Sequence, residues 1–277
     1  MARDVSDWFI KQYEGEVHVA YQRKGSRLRE TVRNKTNVVG SSDVFPLLGT
    51  GVATTKQRHA PIVPMNPDHS TVEVFLKDFY AGEWIDKLDE NKMLPDEKQA
   101  MANTGAYALG RRTDQLIVEA INTGTAAPAP TNLSTIGLSY FTGIMEKMGD
   151  RDVPLEDGEV YGPVSWQLWN RMMNIDQFVN QDYIGHEQLP FLGPVGQAKR
   201  WLGVVWFPFS GLAKTGNNRR MAVYHKTAIG HASGQDVTAD ITWHGDRASY
   251  FVNNMMSQGA VVIDPIGIEP LHVNEAG

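Results

Sequence analysis

The spacing of apolar residues changes along the chain, and each change marks a new element. Near the start Trp8, Phe9 and Tyr13 cluster, and then Val17, Val19 and Tyr21 alternate with polar or small residues as a short strand requires. From about Thr31 to Ser70 no helical period survives, because Gly40, Pro46, Gly49, Gly51, Pro61, Pro64 and Pro67 interrupt it. A segment of this length without its own helix is uncommon inside a compact domain. Its apolar side chains, among them Val44, Phe45, Leu47, Leu48, Val52, Ile62 and Val63, still need cover, which argues against a disordered linker. An extended β-hairpin whose apolar face is covered by another chain satisfies both constraints.

Thr71 to Leu76 alternates as a strand and leads into an acidic turn at Asp86, Asp89 and Glu90. The clearest helix follows over 94–121. Pro95 suits its first position, Asp96 and Glu97 complement its positive end, and Met101, Leu109, Leu116, Ile117 and Ile121 recur at helical spacing. It would be roughly 40 Å long at 1.5 Å per residue. Ala100, Ala102, Gly105, Ala106 and Ala108 thin one stretch and permit close backbone contact.

A second helix is expected over 134–148, with Gly149 as its stop, and a third over 165–178, with Ser165 as N-cap. Glu159 to Val164 reads as a strand between them. After a loop at 188–196 the pattern turns to strands at 200–207, 220–228, 238–243, 248–256 and 260–263. Strands on both sides of a helical middle make the class α+β.

Composition narrows the function. The chain has 277 residues, 42% apolar and 21% charged, with 26 Lys and Arg against 32 Asp and Glu, hence a net charge of −6. Such a surface repels polyanions at long range. Arg23, Lys24, Arg27, Arg29, Arg33 and Lys35 form one basic exception, read either as a surface arm paired with carboxylates or as a patch for an acidic partner. There is no Cys, which excludes thiolate chemistry and disulfides. Asp4 and Asp7 occupy the place where a signal peptide needs positive charge, and no apolar run approaches membrane-spanning length, so a cytoplasmic, membrane-free chain is expected.

Catalytic motifs are missing or broken. His186-Glu187-Gln188-Leu189-Pro190 begins like a zinc protease helix, but Pro190 replaces the second histidine. Gly49-Thr50-Gly51 resembles part of a dinucleotide loop, without a helix after it. His225 and His231 would share a face of an unbroken strand, with Asp236, Asp240 and His244 downstream, although Gly230 is expected to break that strand. Asn34-Lys35-Thr36 and Asn132-Leu133-Ser134 fit the glycosylation pattern but lack a secretory route. No catalytic residue, metal or cofactor is assigned.

Four stretches carry a resemblance in the same order. They are Tyr13 to Tyr21, Phe45-Pro46-Leu47-Leu48-Gly49, Lys199 to Leu212, and Val223 to Gly230. Together they resemble the major capsid proteins of tailed bacteriophages, which share the Hong Kong 97 fold, and look closest to those of short-tailed, T-seven-like phages. The resemblance implies an N-terminal arm over 1–30 and an extended loop over 31–74. It further implies a peripheral domain over 75–153 and 239–277 built on the spine helix, and an axial domain over 154–238.

It also implies a non-enzymatic protein whose copies close into pentamers and hexamers of an icosahedral shell around double-stranded DNA, without sequence-specific binding. Assembly would take place in the host cytoplasm as a precursor that expands. A separate scaffolding protein is expected because no scaffold segment fits here, and a portal protein and a decoration protein are the other expected partners. Phe45, Leu47, Leu48 and Val52 are the expected apolar inter-subunit contacts, and Arg27, Arg29 and Arg33 the expected ionic ones. An encapsulin-like compartment and a metal-dependent enzyme using His225, His231 and His244 are the alternatives.

Overall fold

The computed structural model describes residues 25–90, 97–179 and 197–276. The strand expected at Val17 to Tyr21, the loop at 188–196 and the motif at His186 lie outside these residues. In chain order the described strands and helices are β1 (Arg33–Lys35), β2 (Ser42–Leu48), β3 (His69–Phe75), β4 (Lys77–Asp86), α1 (Lys87–Glu90), α2 (Glu97–Gly124), β5 (Thr131–Asn132), α3 (Leu138–Gly149), β6 (Val160–Val164), α4 (Trp166–Met172), α5 (Asp176–Val179), β7 (Lys199–Trp201), β8 (Val204–Pro208), β9 (Lys214–Thr215), β10 (Asn218–His225), β11 (Ile229–His244), β12 (Ser249–Val262) and β13 (Ile268–Asn274).

These form three sheets: β1-β11-β12-β4, a larger one ordered β5-β13-β10-β6-β8-β7 with β9 on β10, and the two-stranded β2-β3. The chain divides into two compact units. One contains Gly25 and the described residues of 78–112 and 236–256, and the other the described residues of 26–77, 113–235 and 257–277. The long helix and both long strands pass from one unit to the other. No described helix is long and apolar enough to cross a membrane.

In the first unit, Ile85, Ala102 and Val252 make the core. Gly105 lets the helix approach the sheet closely, since a Cβ there would meet the Asn254 amide at 2.1 Å. In the second, aromatic rings fill the space between α3, α4 and the large sheet. Phe141 meets Trp201 and Trp206 edge-on at 5.2 and 5.3 Å, and Phe178 meets Trp169 and Trp201 at 5.6 and 5.2 Å. Edge-to-face pairs of this kind add about 0.5–1.5 kcal/mol beyond burial. Gly162 leaves room for Trp206, paired with it on the neighbouring strand.

Several sequence expectations need correction. The strand expected over 200–207 is a hairpin, turning at Leu202 and Gly203, whose φ values of 52° and 77° give the two left-handed positions of a type I′ turn. The helix expected over 165–178 keeps its cap, with Ser165 Oγ accepting from Leu168 N at 3.1 Å, but stops at Met172. Beyond it the Asn174 amide bonds the Asn170 carbonyl and competes with the ladder. The helix expected over 134–148 begins only at Leu138. Gly230 does not break a strand. It lies inside β11, and the chain turns earlier, at Lys226–Ala228. The pieces expected at 248–256 and 260–263 are one strand. β4 and β13 were not anticipated.

Lys199 is buried, with its ammonium donating to the Phe178 carbonyl and lying 4.1 Å from the centroid of that ring. Burial lowers its pKa to about 8 from 10.5. Below about pH 8 both folded and unfolded chains carry the charge, so its burial cost is fully present. Between about 8 and 10.5 the folded chain alone releases the proton, and the cost fades. Lys199→Met is therefore expected to raise the Tm of the unassembled chain by a few degrees at pH 7 and by less at pH 10, as read by circular dichroism. An equal effect at both pH values would contradict this.

Candidate assembly surfaces

The β2-β3 ribbon pairs in register from Ser42↔Phe75 to Leu48↔His69, and Gly49 N extends the ladder to the Asp68 carbonyl at 2.7 Å. At its root Phe45 is fully buried with Val74, Ala232 and Ile263. Gly230 makes this possible, because a Cβ there would stand 2.6 Å from the Phe45 ring. Arg33 and Lys35 lie 5.6 and 5.1 Å from the ring centroid, within cation–π range. Lys35 Nζ also holds Asp43 at 3.0 Å and the Val44 carbonyl at 2.7 Å. Its hydrogen bond keeps the Asp43 carboxyl below the usual carboxylate range. Phe45, expected as an inter-subunit contact, is thus an anchor within its own chain, since its apolar surface is already covered.

Further along the ribbon the cover ends. Leu47 is half-buried, while Leu48 is 60% exposed, Val52 77%, Ile62 75%, Val63 57% and Met65 54%. The tip is held by a turn, Ala60 N to the Gln57 carbonyl at 3.1 Å, and by Thr54 Oγ1 donating to the Val63 carbonyl at 3.1 Å. Neither contact covers these apolar side chains. Exposed apolar groups grouped on one projection mark an interaction surface.

The basic segment is fixed from below. Asp114 on α2 is fully buried, and its carboxylate accepts from Ser26 Oγ at 2.6 Å, Arg27 N at 3.0 Å and Leu28 N at 2.9 Å. Leu28 is buried beside it, and Thr31 Oγ1 bonds the Tyr224 hydroxyl at 2.7 Å. The backbone is pinned, leaving Arg27 and Arg33 exposed and Arg29 half-buried. Arg27 reaches the Pro208 carbonyl at 3.5 Å. Arg23 and Lys24 lie outside the described residues. Asp114 was not singled out from sequence, although a signal existed: it falls three and seven residues before Ile117 and Ile121, an acid on the apolar stripe of a helix.

The histidines do not converge. His225 Nδ1 bonds Thr227 Oγ1 at 2.8 Å, whereas His231 is buried between Asn34 Oδ1 at 3.0 Å and Gln258 Oε1 at 3.2 Å. His244 packs against Trp84 with ring centroids 5.0 Å apart, and Asp236 and Asp240 are exposed. Among the described residues no three His, Asp or Glu side chains come together as a metal site.

Solved structures share this architecture. The capsid of Cyanophage P-SCSP1u superposes with a TM-score of 0.76 at 18% identity, covering 100% of this chain and 96% of that one. The mature capsid of bacteriophage PhiM1 gives 0.70 at 14%, with 96% and 92% covered. The capsid of Ralstonia phage GP4 gives 0.68 at 10%, with 100% and 98% covered. The fold is that of Hong Kong 97-like capsid proteins. Among curated proteins no sequence matches. The model of the phage capsid protein family matches residues 5–274, and the chain belongs to that family. It is a structural protein of the virion shell, not an enzyme.

Because Gly230 makes room for the anchor, Gly230→Ala is expected to displace the Phe45 ring and destabilise the unassembled chain by about 1–3 kcal/mol in denaturant unfolding. Pairing it with Phe45→Ala should cost less than the two separate losses added together, since the clash is then absent. Strict additivity would contradict the contact.

Proposed function

We propose that many copies of this chain close into pentamers and hexamers of an icosahedral shell that holds double-stranded DNA, each copy covering the ribbon of the next. The observation that carries this reading is the ribbon itself, anchored by Phe45 and bare from Leu48 onward. A projection of one copy received at a different surface of its neighbour is a head-to-tail contact, and such contacts close into rings. In this reading Leu47, Leu48 and Val52 meet the neighbouring copy, and Arg27, Arg29 and Arg33 pair with its acidic side chains. The net charge of −6 suits a container whose wall does not grip the DNA threaded into it.

Within the family we place the chain nearest the short-tailed, T-seven-like phages, on the four ordered stretches of sequence. Residues 1–30 serve as an arm, 31–74 as the extended loop, 75–153 and 239–277 as the peripheral domain, and 154–238 as the axial domain. Assembly proceeds in the host cytoplasm with a scaffolding protein, around a portal, and a decoration protein binds the finished shell.

Negative-stain microscopy of the chain produced together with its scaffolding protein tests the reading: closed particles or tubes of capsomers are expected, and those isolated from infected cells should contain nuclease-protected DNA. Small oligomers only, or particles filled with a cargo enzyme, would overturn it. Val52→Asp combined with Ile62→Asp should abolish particles while leaving the Tm of the unassembled chain within about a degree, because both side chains are solvated there. Normal particles from this variant would remove the ribbon from the mechanism.

A further inference from the structure

We infer that His231 is a pH-sensitive clamp at the root of the ribbon: with a proton on both ring nitrogens it ties β1, β11, β12 and α2 together, and loss of one proton loosens β1 and the root beside it. The inference stands on side-chain geometry and does not depend on the shell reading above.

The ring is fully buried, and each of its nitrogens faces an amide oxygen. Nδ1 lies 3.0 Å from Asn34 Oδ1, and Nε2 lies 3.2 Å from Gln258 Oε1. Asn34 Nδ2 donates to the Arg29 carbonyl at 2.6 Å, which fixes the end of that amide turned to the ring. Gln258 Oε1 also accepts from Thr113 Oγ1 at 2.7 Å. Amide oxygens only accept, so both ring nitrogens donate, and the imidazolium alone can do that. A neutral ring would set a lone pair against one of these oxygens and leave a buried polar group unsatisfied.

The bonds join four elements. Asn34 pairs with His231 in the middle of the short β1-β11 ladder, Arg33↔Gly230 to Lys35↔Ala232, while Gln258 lies on β12 and Thr113 on α2. The same ladder carries the ribbon anchor, because Gly230 makes room for Phe45 and Lys35 holds Asp43 and the Val44 carbonyl. Charged groups on the surrounding elements have other engagements. Asp114 on α2 accepts from Ser26 Oγ and from the Arg27 and Leu28 amides. Arg33 and Lys35 alternate away from Asn34 and lie over the Phe45 ring, Arg29 and Glu30 precede β1, and β12 has no charged side chain. A histidine in water releases its second proton near pH 6.5. Both donated bonds make the folded chain hold that proton more tightly than the unfolded one. The clamp therefore contributes fully below about pH 6.5, and its contribution is lost as the pH rises further.

Nitrogen NMR of the isotope-labelled, unassembled chain tests this, with hydrogen–deuterium exchange over residues 33–48 followed from pH 6 to 9. His231 is expected to keep both nitrogens protonated at pH 7.5, where the exposed His59 and His69 are neutral. Once the ring loses its proton, the amides of 33–48 should exchange about tenfold faster after correction for intrinsic rates. His231→Gln, which cannot titrate, should remove that acceleration. A ring with one bare nitrogen at pH 7.5 would overturn the clamp, as would exchange that ignores the loss of the proton or an acceleration that survives in the variant. If His231→Gln does not fold, the two wild-type measurements decide.

Discussion

A two-stranded ribbon has no interior, and everything about this chain follows from where its ribbon finds one. Phe45 supplies the first answer. Its ring enters a pocket opened by Gly230 and closed by Val74, Ala232 and Ile263, and burying a phenylalanine side chain is worth about 1.5–3 kcal/mol. That is enough to fix the root and the direction of the ribbon. It leaves Leu48, Val52, Ile62, Val63 and Met65 largely exposed, and an isolated hairpin in water is marginal at best. In the reading proposed above, the missing cover comes from a neighbouring copy in the shell.

The rest of the chain is organised around the long helix. The long helix offers Gly105 to one sheet and Ile117 and Ile121 to the large core, while Asp114 pins the basic segment through three hydrogen bonds. Hydrogen bonds to a buried charge are worth about 1.5–3 kcal/mol each. Further along the large sheet, Glu269 is held by Lys147 at 2.9 Å and Arg151 at 2.5 Å, and Arg219 holds Glu275 at 2.8 Å. Desolvation raises the Glu275 pKa, but its hydrogen bonds to Arg219 and Ser165 and the nearby charges outweigh this and leave it lowered. Buried carboxylates paired with cations in this way specify one arrangement of strands, which a shell built from identical copies requires.

Elements with one dominant local signal were legible in the sequence. The long helix, the Ser165 cap and the Gly- and Pro-punctuated ribbon each follow from period or turn chemistry. What escaped was decided by tertiary context. β4 is mostly exposed on both faces and has no clean alternation, so Lys77 to Asp86 gave no strand signal. Leu202 takes a left-handed turn that a leucine rarely adopts, which hid the β7-β8 hairpin. Gly230 looked like a strand breaker, yet its missing Cβ serves Phe45, which lies far from it in sequence. The same blindness made Phe45 look like a contact residue, because an alternating pattern cannot distinguish cover by the same chain from cover by another.

Hydrogen–deuterium exchange over residues 49–68, in the unassembled chain and in assembled particles, addresses the central claim most directly. If the ribbon is completed only by a neighbour, its amides exchange within seconds in the free chain and become strongly protected on assembly. Strong protection already present in the free chain, unchanged in the particle, would mean that the ribbon is covered from within.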